Sequence, residues 1–103
     1  MASMDNPSVS VEVKRRLYAT KMFNLSNFLR ELTRYGESLD ICQKAIAYQK
    51  SIKRTQMLGQ LYYNQAVAQA SLGDIKKATE SYELSCSQFE RDGEVENAER
   101  VRT

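Results

Sequence analysis

Residues 61–85 read LYYNQAVAQASLGDIKKATESYELS. Large residues stand at Tyr62 and Tyr82, small ones at Ala66, Ala78 and Ser85, and Leu72-Gly73-Asp74 breaks the stretch in the middle. Apolar residues recur at spacings of three and four on both sides of the break, which is the period of a helix buried along one face. Gly ends one helix and Asp opens the next. Small side chains at Ala66 and Ala78 let two helix backbones approach closely, while Tyr62 and Tyr82 fill the space towards neighbouring helices.

Working outward, the same pattern returns when the sequence is shifted by 40 residues: Met22 falls on Tyr62, Phe23 on Tyr63, Asn24 on Asn64 and Leu32 on Leu72. Tyr35, Ser38, Cys42 and Ala45 fall in turn on Ile75, Ala78, Tyr82 and Ser85. A repeat of this length holding two helices marks an all-α, solenoid-like architecture, in which each unit buries its apolar face only by stacking on the next. The predicted order begins with a lead-in over residues 1–8, disordered or a cloning remnant, ahead of a helical domain over 9–103. A first helix over about 9–33 carries Leu17, Met22, Leu25, Leu29 and Leu32 and ends near Arg34 to Gly36, where Gly relaxes the backbone. A second covers about 37–52, with a stripe of Leu39, Cys42, Ala45, Ile46, Tyr48 and Gln49. After a polar connection around 50–55, a third helix covers about 56–72. The fourth follows Gly73-Asp74, and Asp92-Gly93 precedes a short C-terminal capping helix over about 94–102. Repeat one is thus about 19–52 and repeat two about 59–92.

At Tyr62, Ala66, Leu72-Gly73, Ala78, Tyr82 and Ser85 the chain resembles the tetratricopeptide repeat; Gln65 and Gln69 depart from that pattern and no Pro closes the repeat. The resemblance implies tandem antiparallel helix hairpins in a right-handed solenoid. The runs Tyr35–Ile46, Leu61–Ala66 and Leu72–Asp74, with Ser81-Tyr82, Cys86 and Phe89, are similar to the C-terminal repeats of bacterial, Gram-positive transcriptional regulators that sense short peptides. Those regulators join such repeats to a helix-turn-helix domain, of which this sequence shows none. The resemblance implies the ligand-sensing and dimerisation part of such a regulator; the alternative is a stand-alone adaptor or scaffold that binds another protein.

Arrays of this kind bind ligands on the first helix of each pair. The face opposite the core stripe offers Phe23, Asn27 and Arg30 in one copy and Tyr63, Val67 and Ala70 in the other, flanked by Asn24 and Asn64. Asn both donates and accepts, which suits the backbone of an extended peptide, and Arg can hold a carboxylate with two bonds. The candidate peptide-binding set is therefore Phe23, Asn24, Asn27, Arg30, Tyr63, Asn64 and Val67; the competing reading is that the Asn side chains bond between neighbouring helices. Some adaptors of the wider family clamp a terminal carboxylate with Lys and Asn, but Phe23 stands where that Lys belongs.

Fifteen basic and 13 acidic residues leave a net charge of +2, without the basic footprint of nucleic-acid or anionic-membrane binding. There is no His, no Gly-rich phosphate loop and no zinc spacing, so neither catalysis, metal nor cofactor is expected. Cys42 and Cys86 lie on apolar stripes and read as small core residues. No run approaches membrane-spanning length, and the expected compartment is the cytoplasm. Two repeats fall short of the roughly three such arrays need, which predicts a homodimer.

Overall fold

The computed structural model describes residues 7–102. Among them are five helices and no strand: α1 (Pro7–Glu31), α2 (Tyr35–Ser51), α3 (Leu58–Ser71), α4 (Ile75–Arg91) and α5 (Val95–Arg102). The expected lead-in lies outside the described residues as far as residue 6, and α1 begins at Pro7, where a missing N–H costs nothing. Each helix packs on the next, and α1 also reaches α3. Contacts between α1 and α2 run in opposite chain order, Ser26 meeting Ser38 while Tyr18 meets Tyr48. The same holds for α3 and α4, where Gln65 meets Ser81 and Gly59 meets Ser85.

One backbone device closes the first four helices. The residues with left-handed φ at these ends are Thr33 (60°), Lys53 (56°), Gly73 (89°) and Gly93 (76°), spaced 20 apart. At each, the left-handed residue donates its N–H to the carbonyl three back, and the following residue donates to the carbonyl five back: Thr33 to Arg30 and Arg34 to Leu29, Lys53 to Lys50 and Arg54 to Gln49, Gly73 to Ala70 and Asp74 to Gln69, Gly93 to Glu90 and Glu94 to Phe89. This paired pattern satisfies carbonyls that a helix end leaves open. It also corrects the expected first boundary. Gly36 lies inside α2, and Thr33, a β-branched residue, takes the strained conformation instead. The connection after α2 falls at 52–57 rather than 50–55, and a second left-handed residue, Met57 (φ 64°), delays α3 to Leu58.

The core is built where small residues bring helices together. Ala45 and Ile46 of α2 pack with Leu58, Leu61 and Tyr62 of α3, and Tyr18, Met22 and Phe23 of α1 lie against them. Cys86 and Phe89 of α4 pack with Ala98 of α5, and Val101 leans on this group. Gly59 has the closest approach: a Cβ there would stand 2.5 Å from the Phe89 ring, and its carbonyl accepts a bond from Ser85 Oγ at 2.7 Å. The α2 stripe is buried at Cys42, Ala45, Ile46 and Gln49, as its period predicts. The α1 stripe is not. Leu29 is buried and Met22 half-buried, but Leu17, Leu25 and Leu32 are exposed, and Ala19 and Ser26 take the innermost places. Period reveals that a face is apolar; it does not rank two apolar faces of one helix.

Candidate interaction groove

Ser26 has no exposed surface and receives the hydroxyl of Ser38, whose Oγ donates to its carbonyl at 2.9 Å. The Ser38 bond pins α1 on α2, while the Ser26 Oγ donates within α1 to the Phe23 carbonyl at 2.7 Å. From α3, Asn64 reaches the same point. Its Nδ2 donates to Ser26 Oγ at 2.8 Å and to Asn27 Oδ1 at 2.7 Å, and its Oδ1 accepts from Arg30 Nη1 at 3.3 Å. Asn64 is 1 % exposed, so its amide is consumed by the bridge between α1 and α3. It positions Asn27 and Arg30 rather than offering itself to a ligand. Asn24, its partner in the repeat, is exposed and stands about 100° around the helix from Phe23, off the shared face. The two Asn residues that match in sequence therefore do not match in environment.

Of the remaining candidates, Phe23 and Tyr63 come together. Phe23 of α1 and Tyr63 of α3 line a groove of about 280 Å³ with Gln60, Phe89, Asn97, Arg100 and Val101. Val67 lies one turn beyond Tyr63 on the same side of α3. The groove is aromatic and apolar within, and Arg100 and the Asn97 amide give it polar groups. Tyr63 meets Tyr82 of α4 edge-on, with ring centroids 5.7 Å apart. Burial pushes the Tyr82 phenol above its ordinary value and Tyr63 adds to this, while the nearby positive charge of Arg30 pulls the other way. Gln60, Phe89, Asn97, Arg100 and Val101 were not among the sequence candidates. The 40-residue shift lays Val101 on the buried Leu61, which is a signal in the sequence for that residue.

The departures at Gln65 and Gln69 have a structural use. Gln65 Nε2 donates to Ser81 Oγ at 2.9 Å, and that hydroxyl donates to Gln69 Oε1 at 2.6 Å, fastening α3 to α4 through buried polar groups. Both cysteines are free and buried. The Cys42 thiol is pushed up to about 11 by burial, against the opposing pull of Ser26, Arg30 and Ser38, so it carries no thiolate near neutral pH. Among the described residues no group of three or more His, Cys, Asp and Glu side chains could hold a metal ion, and no helix is long and apolar enough to cross a membrane. Compared with family models, with curated proteins and with solved structures, the chain matches none.

Proposed function

We propose that this chain is a protein- and peptide-interaction and dimerisation module, a tetratricopeptide-like right-handed solenoid of two antiparallel helix hairpins capped by α5. The observation that carries the reading is the groove, in which Phe23 of α1, Tyr63 of α3 and Asn97 of α5 line one cleft. These are the first, third and fifth helices, the ones that present a working surface in an array of hairpins. An extended peptide places an apolar side chain against Phe23, Tyr63 and Phe89 and meets amide groups at Asn27 and Asn97 with its backbone. Asn64 holds the two sides of this surface in register. In this reading the groove binds, without a catalytic step and without a metal or cofactor.

The parent we favour is a bacterial, cytoplasmic transcriptional regulator, of which this is the ligand-sensing part, with DNA reading left to a domain outside these residues. The similarity of Tyr35–Ile46 and Leu61–Ala66 to the repeats of peptide-sensing regulators supports that choice. Panning a displayed library of random octapeptides against the folded chain tests the binding function. Recovered peptides are expected to bind at micromolar Kd and to lose at least tenfold with Tyr63→Ala or Asn97→Ala. Recovered peptides that bind both variants unchanged, or no enrichment at all, would overturn it.

A further inference from the structure

The hydrogen bonds around Asn64 have a direction, and both ends of the network fix it. At one end the Ser26 hydroxyl spends its proton on the Phe23 carbonyl, so its oxygen only accepts, and Asn64 Nδ2 must face it. At the other end Arg30 has no acceptor to offer, so Asn64 Oδ1 must face the guanidinium. The second hydrogen of Asn64 Nδ2 then falls to Asn27 Oδ1, which turns the Asn27 amide nitrogen outward. Asn27 is half-buried. The buried side-chain polar atom left without a partner among the described residues is Gln49 Oε1, so Asn27 Nδ2 keeps its N–H groups for solvent.

Arg30 is in a similar state. It is half-buried, and of its five N–H groups one is engaged, by the neutral Asn64 oxygen at 3.3 Å. Among the described residues no carboxylate forms an ion pair with it. Its charge acts inside the array all the same: burial raises the Cys42 thiol and the Tyr82 phenol, and Arg30 pulls both the other way. Asn27 and Arg30 stand three residues apart and so share one side of α1. The network thus turns its acceptors inward and leaves a small surface of donors, one of them fully charged.

We infer that Asn27 and Arg30 form a subsite for the side-chain carboxylate of an Asp or Glu in a bound peptide. The inference rests on the groove reading for the rest of the peptide and adds the chemistry of one of its residues. The guanidinium takes the two carboxylate oxygens on parallel N–H groups, and Asn27 Nδ2 adds a third bond to one of them. The other hydrogen of that amide remains for a backbone carbonyl. A side chain fits better than a chain terminus because it brings acceptors alone. A terminus brings its own N–H beside them, and Asn27 Oδ1 and Asn64 Oδ1 are already taken. Spacing places the acidic residue. Phe23, which lines the groove, and Arg30 are seven residues apart on α1, about 10.5 Å along its axis. In a polyproline-like extended chain, residues i and i+3 share a face and stand about 9 Å apart. The recognised element is therefore an apolar residue with a carboxylate three positions away, and Asn64 is the positioning residue that keeps the donors aimed.

The test is an NMR titration of the isotopically labelled chain with acetyl-Asp-Ala-Ala-Leu-Ala-Ala-Asp-amide, whose two carboxylates serve either chain direction. The same peptide with Asn at both ends is the comparison. The Asp peptide is expected to bind about tenfold tighter and to move the Asn27 side-chain amide and the Arg30 Nε–H. In Arg30→Gln the two peptides are expected to bind alike, and Arg30→Lys to restore part of the preference; the backbone amide spectrum checks that each variant is folded. Equal binding of the two peptides to the wild type, with shifts at Tyr63 and Asn97, would overturn the subsite and leave the groove standing. An Asp preference that survives Arg30→Gln would also overturn it. Shifts at Asn27 and Arg30 with none at Tyr63 and Asn97 would support the subsite and remove the groove. If the Asn peptide with a free C-terminus binds as tightly as the Asp peptide, the side-chain assignment falls in favour of a chain end. Binding by none of the three would overturn the subsite.

Discussion

The pairs α1–α2 and α3–α4 are written on one 40-residue template, yet they solve the same packing problem differently. In the second pair Gly59 leaves room for the Phe89 ring. At the matching places of the first pair stand Ala19 and Gln49, both without exposed surface. Gln49 Nε2 donates to the Gln56 carbonyl at 2.9 Å, while its buried Oε1 has no partner, and leaving such an acceptor unsatisfied costs about 1–3 kcal/mol. The second pair ends its first helix on Gly73 and opens its second with Asp74, whose side chain accepts from Lys77 N at 3.2 Å. The first uses Thr33 and Arg34, which cap nothing with their side chains at the α2 start; Arg34 turns instead to Glu37. A shared spacing thus preserves the path of the backbone while the side chains that support it are exchanged.

The sharpest way to break this comparison is Gly59→Ala, which inserts a methyl against the Phe89 ring. A loss of about 3 kcal/mol is expected in urea unfolding, with part of it recovered by Phe89→Leu; a loss below about 0.5 kcal/mol would show that the close approach does not matter. Next in size is the response to alkali. Cys42 and Tyr82 occupy matching places, and Cys42 is the deeper. The unfolded thiol ionises near 9, whereas the folded one is held neutral to about 11. The unfolded chain therefore loses its proton first, and stability present below pH 9 is lost as pH rises through that window. Between pH 8 and 11 the free energy of unfolding is expected to fall by about 2 kcal/mol more in the wild type than in Cys42→Ala, as read by urea titration.

Smaller effects sharpen the contrast at the turns. Thr33→Gly is expected to stabilise by about 1 kcal/mol, because Gly enters the left-handed region without strain, and Gly73→Ala to cost a similar amount. Thermal melting of the two variants should move in opposite directions; a shift of the same sign would mean the turns are not equivalent. Asp74→Ala is expected to cost about 0.5–1 kcal/mol through the lost cap. Arg34→Asp recovers at most a few tenths, since it also removes the exposed pair with Glu37.

Much of the frame was legible in the sequence, because helices α2 and α4 fall 40 residues apart to the residue, at 35–51 and 75–91. What misled was chemistry without a reliable local sign. Gly36 drew the first boundary towards itself, and nothing about a threonine announces the left-handed turn that Thr33 adopts. Leu17, Leu25 and Leu32 share a period with Leu29 but lie on the other apolar face. Of the candidate site, Phe23 and Tyr63 fell on the groove because their face follows from helix geometry. Asn64 fell in the core because its partners, Ser26, Asn27 and Arg30, lie more than 30 residues away. Phe89, Asn97, Arg100 and Val101 become neighbours of Phe23 only through the stacking of successive helices, which no local window contains.

The turns have one more consequence, for stiffness. In each, the carbonyl that receives the bond from five residues on belongs to Leu29, Gln49, Gln69 or Phe89, and all four side chains are buried. Every bend in the chain is fastened from inside, so swinging a helix about its turn means drawing a core residue out with it. The six residues between α2 and α3, where two left-handed residues, Lys53 and Met57, share one connection, are spanned by the core as well, since Ala45 and Ile46 pack with Leu58, Leu61 and Tyr62. Phe23 on α1 and Tyr63 on α3 thus face one groove from helices that this shared core ties together. Asn64, bonded to Ser26, Asn27 and Arg30, adds a polar tie between α1 and α3 to that apolar one.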